Sequence, residues 1–362
     1  MKTKNILAIE TSCDETAMAV VRAEQKRDHF KFEVISNVVA SQIDLHKKWG
    51  GVYPELASRA HLEAMIPVLD EALEPLGGIA NFKKKIDAIT VTWEPGLIGS
   101  LLMGRETAQI LSAYYHKPLI KANHLEGHIY SAFGGVTQNS NLKSQSAKSK
   151  IKNQKLKIPK MGIFPVLALV VSGGHTSLIL MRDHLRYETV GQTIDDAAGE
   201  AFDKVARILG LGYPGGPAIE KFAKEGDYAA YDLPLSMLKS GDLNFSFSGL
   251  KTAVLYLTKD PTTQKLRRYN KKNLAASFQK TVCEILTQKT ITAIKKYNPK
   301  MVILSGGVSA NDALRDHFVA KISKMNTFRG PVLIPQKALS TDNALGIALA
   351  GALEYTSRKS PI

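Results

Sequence analysis

A chain of 362 residues, 44% hydrophobic and 22% charged, is long enough for two cores and too rich in apolar side chains to stay unfolded. Its apolar runs, such as Val166–Val171 and Val302–Leu304, are strand-sized and far short of the ~20 residues that span a bilayer, and two cysteines, Cys13 and Cys283, cannot build a disulfide framework. The net charge of +15 points towards an anionic partner such as nucleic acid without naming one.

The basic start runs into an apolar stretch that ends at Glu10 with no small-residue cleavage site behind it. It reads as a first strand and not as a signal peptide, which makes the cytoplasm the default address. Ile6–Ile9, Ala17–Arg22 and Phe32–Ala40 follow one another as strands, an antiparallel start. From Pro54 to Leu73 apolar residues recur at helical spacing (Leu56, Ala60, Leu62, Met65, Ile66, Leu69). Ile86–Val91 is a buried strand, and a helix over Ser100–Tyr115 follows the Pro95-Gly96 turn.

After a helical stretch from His124 to Phe133, seven lysines (Lys143, Lys148, Lys150, Lys152, Lys155, Lys157, Lys160) and no acid occupy the segment up to Gly162. Its poor apolar content predicts a flexible insertion over 134–162. A second α/β unit opens with Pro165–Gly174, and its strand-to-turn pattern recurs at Met301–Gly307. The expected plan is an N-terminal α/β lobe over 1–133 completed by a late helix over 341–356, the insertion, and a second α/β lobe over 163–340.

A buried strand running into Ser-Gly-Gly offers backbone N–H groups with no Cβ in the way, which suits a phosphate or acyl phosphate. One such tripeptide is as readily a simple tight turn. Two, Ser172-Gly173-Gly174 and Ser305-Gly306-Gly307, suggest a nucleotide held between two lobes. The loop Glu10–Thr16 gathers three carboxylates and three hydroxyls, a polar hairpin or a loop facing phosphates and a metal, with Asp14 and Glu15 as candidates for polarising or deprotonating a substrate.

His124-Leu125-Glu126-Gly127-His128 sets two imidazoles at i and i+4, on one helix face, the commonest two-histidine metal geometry, with structural histidines as the other reading. Asp342 is the candidate third ligand, with capping of the late helix as its other reading. Zinc proteases place a glutamate directly after the first histidine; here that position is Leu125, which weakens a protease reading. Capping accounts for part of the acid run at Asp195 and Asp196 but not for Asp203, which with Tyr213–Pro217 could hold ribose hydroxyls or a substrate side chain.

The assembled motifs resemble the TsaD family (also Gcp or YgjD), the tRNA threonylcarbamoyladenosine transferases formerly called O-sialoglycoprotein endopeptidases. The matching stretches are IETSCDET (Ile9–Thr16), PELASRAH (Pro54–His61), HLEGH, VSGGHT (Val171–Thr176), DDAAGEAFDKVAR (Asp195–Arg207), YPGGP, FSFSGLK (Phe245–Lys251), SGGVSAN (Ser305–Asn311) and TDNA (Thr341–Ala344). The resemblance covers the chain apart from the lysine-rich segment. It implies a two-lobed fold of the actin/Hsp70/sugar-kinase (ASKHA) type, with duplicated α/β subdomains and the active site in the cleft. The implied activity is transfer of the threonylcarbamoyl group of threonylcarbamoyl-AMP to N6 of an adenosine in tRNAs that read ANN codons.

By the same resemblance, His124, His128 and Asp342 are the ligands of one divalent ion per subunit, iron(II) with zinc as the alternative. Val170, Val171, Ser172, Gly173, Gly174, Asp203, Gly216, Glu220 and Asn311 form the substrate-binding set, and His175, Asp14 and Glu15 lie near the reacting acyl group. The implied partners are tRNA with TsaB and TsaE in bacteria, or the KEOPS subunits in archaea and eukaryotes. Two positions depart from the family pattern: Glu94 where glycine is usual, and Glu220 where aspartate is frequent. An ATPase or kinase of the same fold, a metalloprotease, and a noncatalytic partner that keeps only the cleft are the competing readings.

Overall fold

The computed structural model describes residues 3–134, 154–263 and 265–357. By packing, the chain divides into two compact units, one comprising Met1–Ile163, Asp183–Arg186 and Leu333–Ile362, the other Phe164–Arg182 and Tyr187–Val332.

The first unit begins with β1 (Lys4–Glu10), β2 (Glu15–Gln25) and β3 (His29–Ser41), paired antiparallel in succession. A short α1 (Ile43–Lys47) leads to α2 (Pro54–Leu73), α3 (Phe82–Lys85), β4 (Ala88–Glu94), α4 (Ile98–Tyr115), β5 (Leu119–Asn123) and α5 (His124–Ser131). β4 runs parallel to β1, and β5 parallel to β4. Alternation along each strand sorts the two faces. Leu7, Ile9, Met18, Ile89 and Val91 pack with Met65, Val68, Leu69 and Leu111 of α2 and α4.

On the opposite face lies α11 (Ala344–Ser357), whose Gly351 sits over Thr90. Covered on both faces, β1 has no side open to water, so its apolar run is continuous. α11 crosses α5 so closely that a Cβ on Gly346 would run into the Gly127 carbonyl.

Two expectations need correction here. The helix over Pro54–Leu73 is present, but its inward stripe is Ala57, His61, Met65, Val68 and Leu69, while Leu62 and Ile66 are exposed. The expected flexible insertion is also too long. Lys155–Pro159 forms β6, antiparallel to β3 at the sheet edge, with Leu156 and Ile158 buried and Lys155 and Lys157 exposed. Period-two alternation is what a lysine count conceals. The expectation for Lys143, Lys148, Lys150 and Lys152 falls outside the described residues.

In the second unit β7 (Val166–Val171), β8 (Thr176–Asp183) and β9 (Arg186–Gln192) are followed by α6 (Ala198–Leu209), α7 (Gly215–Ala223), α8 (Ser248–Thr258) and α9 (Lys271–Tyr297). Then come β10 (Met301–Ser305), α10 (Asp312–Ser323) and β11 (Val332–Leu333). Sheet order is β5-β4-β1-β2-β3-β6 in one unit and β11-β10-β7-β8-β9 in the other. β10 lies parallel to β7, with Ser305 beside Val170. The two Ser-Gly-Gly turns therefore leave adjacent strands at the same carboxyl edge, where open α/β sheets bind ligands. The units part at 332 and not at 340, because Leu339 packs on Gly134 of the first.

Candidate functional site

Asn123 caps α5: its side chain accepts from Leu125 N (2.8 Å), and its own N–H donates to Glu126 Oε2 (3.1 Å). This reciprocal box fixes the first turn, and it gives Glu126 a structural task in place of the general-base role a protease needs. His124 opens the helix and His128 follows one turn on, with ring centroids 4.5 Å apart. Asp342 Oδ1 stands 3.7 Å from His124 Nε2 and 3.4 Å from His128 Nε2. Asp342 is not the cap of α11. Asn343 is, accepting from Leu345 N (3.1 Å) and Gly346 N (3.4 Å), which leaves Asp342 to the histidines.

The donor atoms of His124, His128 and Asp342 all lie within 4.8 Å of one another. Behind His124, Glu10 Oε2 is 3.2 Å and Ser12 Oγ 3.0 Å from Nδ1. An Nδ1–H donated to the carboxylate turns the Nε2 lone pair towards Asp342 and His128, the arrangement that orients metal-binding histidines. Glu10 was missed as a partner of the triad in the sequence. The available signal was a buried strand, Ile6–Ile9, ending in an acid. Glu10 also accepts from Ser12 N (2.6 Å) and Thr92 Oγ1 (2.5 Å).

Asp14 and Glu15 lie in the same unit, on the turn into β2. Glu10, Asp14 and Glu15 are 1%, 9% and 9% exposed, so the neighbourhood concentrates acid where water cannot screen it. Burial, then Asp342 and Asp14, push the Glu15 carboxyl well above the ordinary carboxylate range. Burial also raises Asp342, to about 6, against the opposing pull of His124. For His124 burial works against charge but is outweighed by Asp342 and Glu10, which raise the imidazole to about 9. Glu10 is brought down to about 2, the burial penalty being overcome by His124, Ser12 and Thr92.

Crowded buried carboxylates facing two imidazoles call for a cation. Two histidines and one carboxylate are a donor set for a divalent transition ion with open positions. The residues present fit a metal.

In the second unit the Ser172–His175 turn is closed by Ser172 N donating to His175 O (2.8 Å) and His175 N to Ser172 Oγ (3.1 Å). Val170 and Val171 have fully buried side chains, so only their backbone is available to a ligand. Gly173, Gly174, Gly216 and Gly307 would each carry a Cβ into open space. Packing does not require glycine there, whereas close approach of a ligand would. Gly306 is different: its φ is +88° and a Cβ would collide with the Val171 carbonyl, so the fold demands glycine.

Other residues of the expected substrate set hold the frame. Asp203 Oδ1 accepts from Gly215 N (2.7 Å), fixing the turn that presents Gly216. Glu220 Oε1 accepts from Asp312 N (2.9 Å) at the start of α10. Asn311 caps that helix through Leu314 N (3.0 Å) and donates to Gln279 Oε1 (2.8 Å). Glu94 is exposed, and the turn beyond it is pinned where Leu97 N donates to Ser12 O (2.8 Å).

Residues 33–349 match the family model for TsaD, tRNA N6-adenosine threonylcarbamoyltransferase. The chain belongs to the TsaD family. Relatives bearing that activity name are 46% identical in Symbiobacterium thermophilum (96% of this chain, 90% of the relative), 44% in Bacillus subtilis (97% and 90%) and 46% in Thermosipho africanus (97% and 94%). This TsaD member is thus an acyltransferase that modifies tRNA.

Among solved structures, full-length HypF in its phosphate- and nucleotide-bound form superposes with a TM-score of 0.54 at 14% identity, over 99% of this chain and 47% of that one. HypF of T. kodakarensis gives 0.58 at 13%, over 98% and 48%. The chain spans about half the length of each HypF, and at these identities the likeness shows the fold alone, of the ASKHA type.

Proposed function

We propose that the chain transfers the threonylcarbamoyl group of threonylcarbamoyl-AMP to N6 of an adenosine in ANN-decoding tRNA, with His124, His128 and Asp342 holding one divalent ion, iron(II). The observation that carries this reading is the convergence of those three donors inside a buried acidic cluster backed by Glu10. When bound, the ion supplies Lewis acidity that polarises an acyl or phosphoryl oxygen.

The chain's own groups perform the rest. An adenosine N6 amine is a weak nucleophile, so its placement against the carbamoyl carbon supplies much of the rate. The N–C bond forms, the bond from that carbon to the phosphate oxygen breaks, and AMP departs with the electron pair. Asp14 accepts the proton shed by N6, with Glu15 and His175 assigned to the acyl group. The backbone amides of Val170–Gly174, together with the open Gly216 and the turn at Asn311, are assigned to the adenylate, whose phosphate gains charge as the bond breaks. Asp203 and Glu220 act by holding those turns. The relatives named above are bacterial, so TsaB and TsaE are the proposed partners. Among the described residues no helix is long and apolar enough to cross a membrane, and the tRNA substrate assigns the protein to the cytoplasm.

The test is nucleoside mass spectrometry after incubation of the chain with iron(II), threonylcarbamoyl-AMP, an ANN-decoding tRNA, TsaB and TsaE. Threonylcarbamoyladenosine is the expected product. Its absence, with ATP hydrolysed or a protein substrate cleaved metal-dependently instead, overturns the proposal.

A further inference from the structure

His61 lies on the inward stripe of α2, in line with Ala57, Met65, Val68 and Leu69, and is fully buried. Every neighbour in that stripe is apolar, and a leucine there would serve the core without the cost of desolvating an imidazole. The imidazole is instead fully engaged. Its Nε2 donates to the Cys13 carbonyl (3.0 Å), and its Nδ1 pairs with Thr16 Oγ1 (2.8 Å). Because a carbonyl only accepts, the proton sits on Nε2, and the neutral ring then accepts from the threonine hydroxyl. Burial lowers the His61 pKa, which favours this neutral form.

The two atoms held by His61 immediately flank the Asp14–Glu15 dipeptide, the Cys13 carbonyl on one side and the Thr16 side chain on the other. The remaining backbone is also tied. Ser100 Oγ donates to the Cys13 carbonyl as well (3.0 Å), and Gln42 N donates to the Asp14 carbonyl (3.0 Å).

We infer that His61 is a positioning residue for the transfer reaction: a single neutral imidazole bridges both ends of the Asp14–Glu15 dipeptide and sets the direction of its carboxylates. The inference rests on the roles proposed above for Asp14 and Glu15. A polar residue in a stripe that packing would fill with carbon is accounted for by what it fixes. A brace of this kind acts on the rate of the chemical step, since small misplacements of reacting groups are costly while substrate contacts elsewhere are untouched.

The experiment compares the full-length wild type with His61→Leu, which keeps bulk and loses both bonds, Thr16→Val, which loses one, and His61→Gln, which keeps a donor able to reach the Cys13 carbonyl. Asp14→Asn and Glu15→Gln serve as references. Three quantities are read: bound iron, amide hydrogen exchange over residues 13–16, and kcat and KM for tRNA modification. The expected result for His61→Leu and Thr16→Val is unchanged iron content, exchange at least about tenfold faster, and kcat down about ten- to a hundredfold at unchanged KM, with His61→Gln partly restored.

Unaltered exchange in both His61→Leu and Thr16→Val overturns the brace. Faster exchange with full kcat, while Asp14→Asn or Glu15→Gln is impaired, overturns the positioning role. Full turnover in both Asp14→Asn and Glu15→Gln removes the carboxylates from the reaction and the inference with them, which marks that failure apart from the other two. Thr16→Val is isosteric, so the question stays open to refutation even if His61→Leu does not fold.

Discussion

The first unit presents ionisable side chains, and the second presents peptide groups. Around His124 and His128 the chain buries several carboxylates close together, and burial with their mutual repulsion raises the pKa of Glu15 and Asp342. Around Ser172 and Ser305 it places glycines beside open space and puts no acid in the turn itself. The difference teaches that the two units offer chemistry of opposite sign: buried side-chain charge suits a cation, and N–H groups beside open space suit a phosphate without the entropy of ordering long lysines.

The largest effect that would sharpen this contrast is loss of the side-chain donors. His124→Ala combined with His128→Ala should abolish iron binding and tRNA modification together while leaving the thermal transition near that of the wild type, as metal analysis, nucleoside mass spectrometry and calorimetry would show. Glu10→Gln should be milder, weakening iron affinity about 10- to 100-fold. Retention of full metal content by the double variant would remove these residues from the site.

Next comes the pair of glycines in neighbouring turns. Gly306→Ala should cost about 3 kcal/mol of stability, because it combines a positive φ with a collision against backbone. Gly173→Ala should change stability by less than about 0.5 kcal/mol while raising KM for threonylcarbamoyl-AMP. Equal destabilisation by both would show that the two turns are packing devices alone and would break the contrast.

The smallest effect concerns a carboxylate that the second unit uses for structure. Asp195 accepts from Ser246 Oγ (2.5 Å), Phe247 N (2.9 Å), and Ser248 N (3.3 Å) and Oγ (2.8 Å) at the start of α8. Burial resists its charge, but these donors outweigh it and lower the pKa. Since the folded pKa lies below the unfolded value of about 3.9, the contribution is complete above that value and is lost as pH falls through it towards the folded pKa. Asp195→Ala should cost about 1 kcal/mol at neutral pH, with the gap closing in urea titrations on acidification below about pH 4. A gap independent of pH would assign the effect to packing.

Much of this was legible because it is periodic or repeated. The duplicated Ser-Gly-Gly turns and the i, i+4 histidines stand out in the sequence, and their strand and helix settings follow from apolar spacing. What stayed hidden was pairing across the chain. Glu10 is separated from His124 by 114 positions, and its local sequence shows only a buried strand ending in an acid, not which imidazole that acid faces. Asn311 and Glu220 read as ligand contacts; that one oxygen of each also caps α10 was not legible, because an acceptor aimed at a helix N-terminus and one aimed at a substrate have the same composition. Apolar spacing marked α2 as a helix but not which face is buried: Leu62 and Ile66 are exposed, while a histidine occupies the buried stripe.

The position of α11 also bears on biosynthesis. That helix packs over β1, β2 and β4 on one face of the first sheet and is preceded directly by Asp342, whereas β1 and the two histidines come much earlier in the chain. During translation the first sheet must wait with an uncovered apolar face, and a chaperone would find its target there, until the ribosome has released residues 342–357. Under the ligand set proposed above, an ion could not be held by all three donors before that release, because Asp342 directly precedes the helix that closes the core. A nascent chain stalled short of it would leave that apolar face open and lack the third of the three converging donors.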